Sequence, residues 1–224
     1  MKKILLVLLT VGFFNTGFAA TSLLKIGGGA AFNNGSITQT YEDLPAGSTI
    51  ESSKYEDNNF TSIFAKLEHG LPFVPNFGIE QRTINLTNDK TKEDEGDNEH
   101  FSYIFYYSIG AGIADFNLGL IQDNFELDKS YSSIGVYAKV ILDVPLIPIT
   151  PSLTYSAGSG DENVQALGLN FAFSLAPGFY LDFGTKTYDY LFPVPDAAAT
   201  ALKDTEINYE VQTYYLGFSF NLGI

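Results

Sequence analysis

The chain has no cysteine, so disulfides, thiolate nucleophiles and cysteine-held metal are excluded. It has only two histidines, His69 and His100. Basic residues are scarce too: 12 Lys and Arg stand against 26 Asp and Glu, a formal charge of −14. That balance argues against nucleic acid as a partner, which needs a basic footprint. No apolar run is long enough for a membrane-spanning helix, which takes roughly 20 residues. The longest, Ile4 to Phe14, is too short for that and follows Lys2 and Lys3. A charged start, a short apolar stretch and the small residues Gly17 and Ala19 form the pattern of a secretory signal. Cleavage is expected after Ala19, giving a signal peptide at 1–19 and a barrel domain at 20–224. Loss of Lys2 and Lys3 takes the formal charge from −14 to −16. With no cysteine near the site, a lipid anchor is not expected. An exported chain without a second apolar span is periplasmic, secreted or an outer-membrane barrel.

What the chain does have is alternation. Tyr214, Leu216, Phe218, Phe220, Leu222 and Ile224 are apolar, and the residues between them are mostly small or polar. One strand face is therefore fully apolar and the other is not. Membrane barrels set such a face against lipid and the polar face into the lumen. The pattern recurs in ten segments. They lie near Leu24–Phe32, Phe60–Gly70, Phe77–Thr87, Phe101–Ile109, Asp115–Gln122, Ile134–Asp143, Thr150–Ala157, Ala166–Phe173, Phe179–Lys186 and the C-terminal stretch. In the fourth, both faces are apolar or aromatic, so its facing is open. Short connections at Pro72–Asn76, Gly110–Ala114, Val144–Pro148 and Pro177-Gly178 alternate with longer polar ones. The longer ones are Asn33–Asn59, Asn88–His100, Gln122–Ser132, Gly158–Asn163 and Leu191–Thr205.

This order predicts an all-β fold: a transmembrane, antiparallel, up-and-down barrel of ten strands, with eight as the alternative. A soluble up-and-down barrel also alternates, with its faces reversed. The export signal, the 14 Tyr and 19 Phe, and the terminal strand favour the membrane. The expected partners are outer-membrane lipid, lipopolysaccharide and, through the C-terminal strand, the barrel-assembly machinery.

At Leu67-Glu68-His69-Gly70-Leu71-Pro72-Phe73-Val74-Pro75-Asn76 the sequence resembles a group of Gram-negative outer-membrane β-barrel proteins. Their second and third strands are joined by L-E-H-x-x-P-[aliphatic or aromatic]-x-P-N. Tyr106-Tyr107, Asp115 to Leu120 and Gly184 to Asp189 fit the same group. In the last, Thr185 and Lys186 replace the usual aromatic and Arg. The resemblance implies a barrel in the outer membrane and a structural role for His69 at the periplasmic rim. It implies no activity.

Three constellations could carry chemistry. Lys66 and Glu68 in the second segment, with Glu80 and Arg82 in the third, face inward on one hairpin, so a lumen charge ladder is expected across it. Lys25, Lys139, Asp182 and Lys186 add charged bulk, and the expected result is a lumen that is closed or nearly so. The stretch Asp89, Glu93, Asp94, Glu95, Asp97 and Glu99 offers hard oxygens to a weakly held divalent cation. It fails the EF-hand pattern, because Thr91 and Ser102 fall at ligand positions, and a solvated acidic loop is the simpler reading. His100 and Ser102 share a strand face and could form part of a lipid hydrolase, although Tyr103 stands where the deacylase pattern has Asn. Neither histidine follows an Asp two residues earlier, as outer-membrane aspartyl-type proteases require, since Leu67 and Asn98 hold those places. Gly27-Gly28-Gly29 lacks the Lys-Ser/Thr of a phosphate loop. The expectation is a non-catalytic barrel without cofactor or resident metal, structural or a narrow passive pore.

Overall fold

A computed structural model describes residues 24–42, 53–69, 71, 74–88, 94–126, 130–144, 146–193 and 206–223. The expected signal peptide lies outside them. Ten strands form: β1 (Leu24–Glu42), β2 (Ser53–His69), β3 (Asn76–Asn88), β4 (Asp94–Ala111), β5 (Ala114–Glu126), β6 (Ser130–Leu142), β7 (Ile149–Gly160), β8 (Asn163–Ala176), β9 (Phe179–Pro193) and β10 (Glu206–Gly223). Each pairs antiparallel with its neighbour in sequence, and β1 pairs with β10 from Lys25↔Gly223 to Glu42↔Glu206, closing the barrel. Closure leaves no free sheet edge. Ten strands, not eight, is the outcome.

The short turns sit where the breakers lie. Gly112 (φ 67°) and Gly178 (φ 77°) supply the left-handed residue in the β4–β5 and β8–β9 turns, the second behind Pro177. The β6–β7 connection places Leu146 in the same region (φ 72°). It is closed by the Ile147 N–H donating to the Val144 carbonyl at 3.1 Å.

The strands are longer than their apolar alternation. β5 continues to Glu126 and β6 starts at Ser130, so both ends of the expected loop Gln122–Ser132 are strand. The β7–β8 connection is only 161–162, and β4 already begins at Asp94 inside the expected acidic loop.

The cause is an inversion of faces. Near the short turns the outward residues are apolar and the inward ones polar. On β10, Tyr214, Leu216, Phe218, Phe220 and Leu222 face out, while Ser219 and Asn221 face in. Further from the short turns the strand keeps its period of two but swaps polarity. Glu210 and Gln212 face out, and Val211 faces in, 2% exposed. The same swap runs through β5, where Leu118 and Leu120 give way to Gln122 and Glu126 outside while Phe125 turns in. It recurs on β8, where Leu167 and Leu169 give way to Gln165 as Val164 and Ala166 turn in. These three strands thus run from a membrane-type segment into a segment patterned like a soluble barrel. On β4 the ambiguity resolves: Phe105, Tyr107 and Ile109 face out, and His100, Ser102 and Tyr106 face in.

Candidate functional site

The inverted segments fill the lumen near the rim opposite the short turns. Tyr188, Tyr190 and Phe192 face inward at alternate positions of β9 and stack along it, at 5.6 and 6.1 Å between successive ring centres. Phe125 of β5 lies against Tyr190 at 5.0 Å, and Tyr131 of β6 meets Phe192 edge-on at 4.7 Å. Ile37 of β1, Val164 and Ala166 of β8 and Val211 of β10 complete a buried cluster. β4 and β5 lie half the circumference away from β9, so this core crosses the lumen.

Set into it is a polar network. His100 is 2% exposed and touches Phe125, Tyr188 and Tyr190 edge-on. Its Nε2–H donates to Asp123 Oδ1 (2.9 Å), and the Tyr190 hydroxyl donates to its Nδ1 (3.1 Å). Ser102 donates to the same Asp123 oxygen at 2.6 Å. His100 and Ser102, paired in the sequence reading, therefore do meet, and a carboxylate joins them. A nucleophilic triad needs the serine on one ring nitrogen and the carboxylate on the other. Here both lie at Nε2, with Ser102 Oγ at 3.4 Å, and Nδ1 is taken by Tyr190. The serine proton goes to the carboxylate and not to the imidazole.

Below the aromatic core lies a layer of ions. Arg82, 4% exposed, pairs with Glu80 and stacks on Tyr188, its guanidinium carbon 4.1 Å from the ring centre. Lys186 of β9 reaches across the lumen to Glu80 Oε2 at 3.1 Å and lies 4.8 Å from the same ring. Lys66 and Glu68 form a separate pair at 3.1 Å, with Tyr106 donating to Glu68 at 2.8 Å. All four residues of the expected ladder line the lumen. Lys66 stands opposite Gly78, and Glu80 opposite Phe64, so no two of the four charges face each other. Pairs form two apart on one strand and across the barrel. A cavity of about 1070 Å³ occupies the rest of the lumen, from Arg82 and Lys186 down to Leu146 and Pro148 at the short-turn rim.

His69 locks that rim. Its Nε2–H donates to the Pro75 carbonyl (3.2 Å), and its Nδ1 accepts the Leu71 N–H (3.2 Å). Asn76 Oδ1 accepts the His69 N–H at 2.9 Å, and its amide donates to Ser108 at 3.0 Å. In the acidic stretch, Asp89 and Glu93 lie outside the described residues, and Asp94, Glu95 and Asp97 belong to β4. Glu99 pairs with Thr83 and Glu126 in the sheet. Its segment is strand from Asp94 onward, so the loop reading is corrected there. No cluster of three metal-ligating side chains occurs among the described residues.

Sequence reasoning missed Phe125, Asp123, Tyr188 and Tyr190. The available signal was period two continuing past Gln122 and Lys186 with its faces exchanged.

No family model matches the chain, and no curated protein matches it in sequence. Solved structures do. The outer membrane protease OmpT from Escherichia coli superposes with a TM-score of 0.56, over 89% of this chain and 96% of that one, at 8% identity. The translocator domain of autotransporter NalP from Neisseria meningitidis gives 0.41 over 98% and 94%, at 11% identity. Ail, the attachment invasion locus protein of Yersinia pestis, gives 0.33 over 90% and 99%, at 12%. At 8% identity the likeness to OmpT shows the fold alone, an outer-membrane β-barrel.

Proposed function

We propose that this is an integral protein of the bacterial outer membrane, non-catalytic, and a closed structural barrel rather than a passive pore. In this reading the short turns face the periplasm. Membrane lipid contacts the apolar band, and lipopolysaccharide with its bound cations meets the acidic outer rim. The C-terminal strand engages the barrel-assembly machinery. One observation carries closure: the aromatic core crosses the lumen from β9 to β4 and β5 and roofs the cavity beneath it. An eight-stranded barrel is just filled by side chains, and ten strands leave about a quarter more circumference. Tyrosine and phenylalanine supply that bulk here. Full-length protein reconstituted in planar bilayers should show no steady conductance. A large, stable conductance in the wild type would overturn the reading.

A lipid hydrolase is the second reading, because His100, Ser102 and Asp123 come together. Its geometry gives Ser102 no imidazole base and its burial gives lipid no access. Phospholipid and lipid A deacylation by the purified protein should therefore equal that of His100→Ala. A rate lost on that substitution would restore the hydrolase.

A further inference from the structure

The β7–β8 turn carries two adjacent acids with opposite fates. Asp161 stays at the surface, where its N–H donates to the Ser132 carbonyl at 2.9 Å and Ser132 Oγ donates to its carboxylate at 3.2 Å. Glu162 folds inward and is 2% exposed. Neither of its carboxylate oxygens has a hydrogen-bond partner among the described residues. The charged groups acting on it are both negative: Asp123 from β5 and Asp161 from its own turn. Tyr190 from β9 also faces it, with its hydroxyl on His100. His100 from β4 is spent on Asp123 and Tyr190. From β6, opposite Asp123 in the sheet, comes Ser133, whose Oγ is also buried without a partner. A carboxylate cannot stay ionised in such a place at little cost, since burial, two like charges and the lack of a donor all act against it.

We propose that Glu162 is a proton-operated latch: as a neutral acid it holds the β7–β8 turn against the core, and on ionising it lets the turn lift into solvent. As a neutral acid it no longer opposes the charges of Asp123 and Asp161. Burial, then Asp123, then Asp161, pushes its pKa up to about 8 from an ordinary value of 4.5. The sign follows from linkage. The docked turn keeps the proton over a range where the lifted turn has lost it. Docking is therefore strongest below about pH 4.5, weakens about tenfold per pH unit up to about 8, and is constant above that. The latch acts on the turn; the strand-borne aromatic core stays in place.

Hydrogen exchange of the full-length protein in micelles, followed by mass spectrometry of the turn at 159–164 and corrected for intrinsic rates, reads this directly. Protection there should fall by two to three decades from pH 5 to pH 8 and then level off, while β9 and β10 stay unchanged. Glu162→Gln, which cannot ionise, should abolish the slope. Flat protection in the wild type, or the same slope in Glu162→Gln, would overturn the latch. Should that variant fail to fold, infrared difference spectra of the wild type between pH 6 and pH 9 decide. Loss of a protonated-carboxyl band supports the latch, and its absence overturns it. Recovery of protection at pH 9 on adding millimolar calcium would show that a metal ion fills the site in place of the proton, and would also overturn it.

Discussion

Tyr190→Ala should lower the unfolding free energy by about 3–5 kcal/mol, the range for deleting a large buried aromatic side chain. Tyr190 is 1% exposed and stacks on Tyr188, Phe125 and Phe192, with His100 at its edge. Its removal leaves a void at the centre of the only layer that crosses the lumen from β9 to β4 and β5 among the described residues. It also deprives His100 Nδ1 of its donor. Tyr190→Phe separates the two effects. The ring stays and only the hydroxyl goes, so the cost should be about 1–3 kcal/mol, that of one unsatisfied buried acceptor. Urea titration in micelles measures both. In planar bilayers Tyr190→Ala should pass a small ionic current where the wild type and Tyr190→Phe pass none. A cost below about 1 kcal/mol for Tyr190→Ala would mean that the core is not a packed layer.

The lipid-facing half of the barrel was legible because lipid enforces an unbroken apolar face with period two. Ile134 to Leu142 and Leu167 to Phe173 needed no further information. The half beyond it reads as loop for the same reason. Once Asp189 and Gln212 replace the apolar outward residue, a search for one apolar face stops, though Tyr190 and Val211 continue the alternation on the other side. Polar residues facing water and apolar residues facing each other look like loop only if lipid is assumed throughout. The ion layer failed differently. The sequence places the four hairpin charges in the lumen, but Glu80 takes its second cation from Lys186, 106 positions away, and no local pattern carries that distance. Asp123 was invisible as a partner of His100 for a similar reason: only the β4–β5 register sets Ser102 opposite it. The motif around His69 was legible as a turn, and its hydrogen bonds show why a ring with one donor and one acceptor suits it.

The inversion itself makes the sharpest prediction, read from arginine placed at four positions of β10. Phe218 is 62% exposed at the middle of the outward apolar band, and Phe218→Arg should cost about 2–4 kcal/mol, the value for a cation facing lipid at the midplane. Gln212 faces the same way six residues on. At about 3.3 Å per residue and a strand tilt near 40°, that is roughly 15 Å along the barrel axis, beyond half of an apolar band about 25 Å tall. Gln212→Arg should therefore cost no more than about 1 kcal/mol. The inward neighbours should behave in reverse. Ser219 lines the wide part of the lumen, where an arginine finds water and carboxylates, so Ser219→Arg should be nearly neutral. Val211 is 2% exposed in the aromatic core, and an unpaired guanidinium there should cost about 3–5 kcal/mol, as stranding a buried charge does. A uniform membrane barrel would penalise arginine on the outward face at both levels, and a uniform soluble barrel on the inward face at both. Only a strand that changes sides penalises it outward at 218 and inward at 211. Equal costs at 212 and 218 in urea titrations of the folded protein in lipid vesicles would place both in the same environment and remove the inversion.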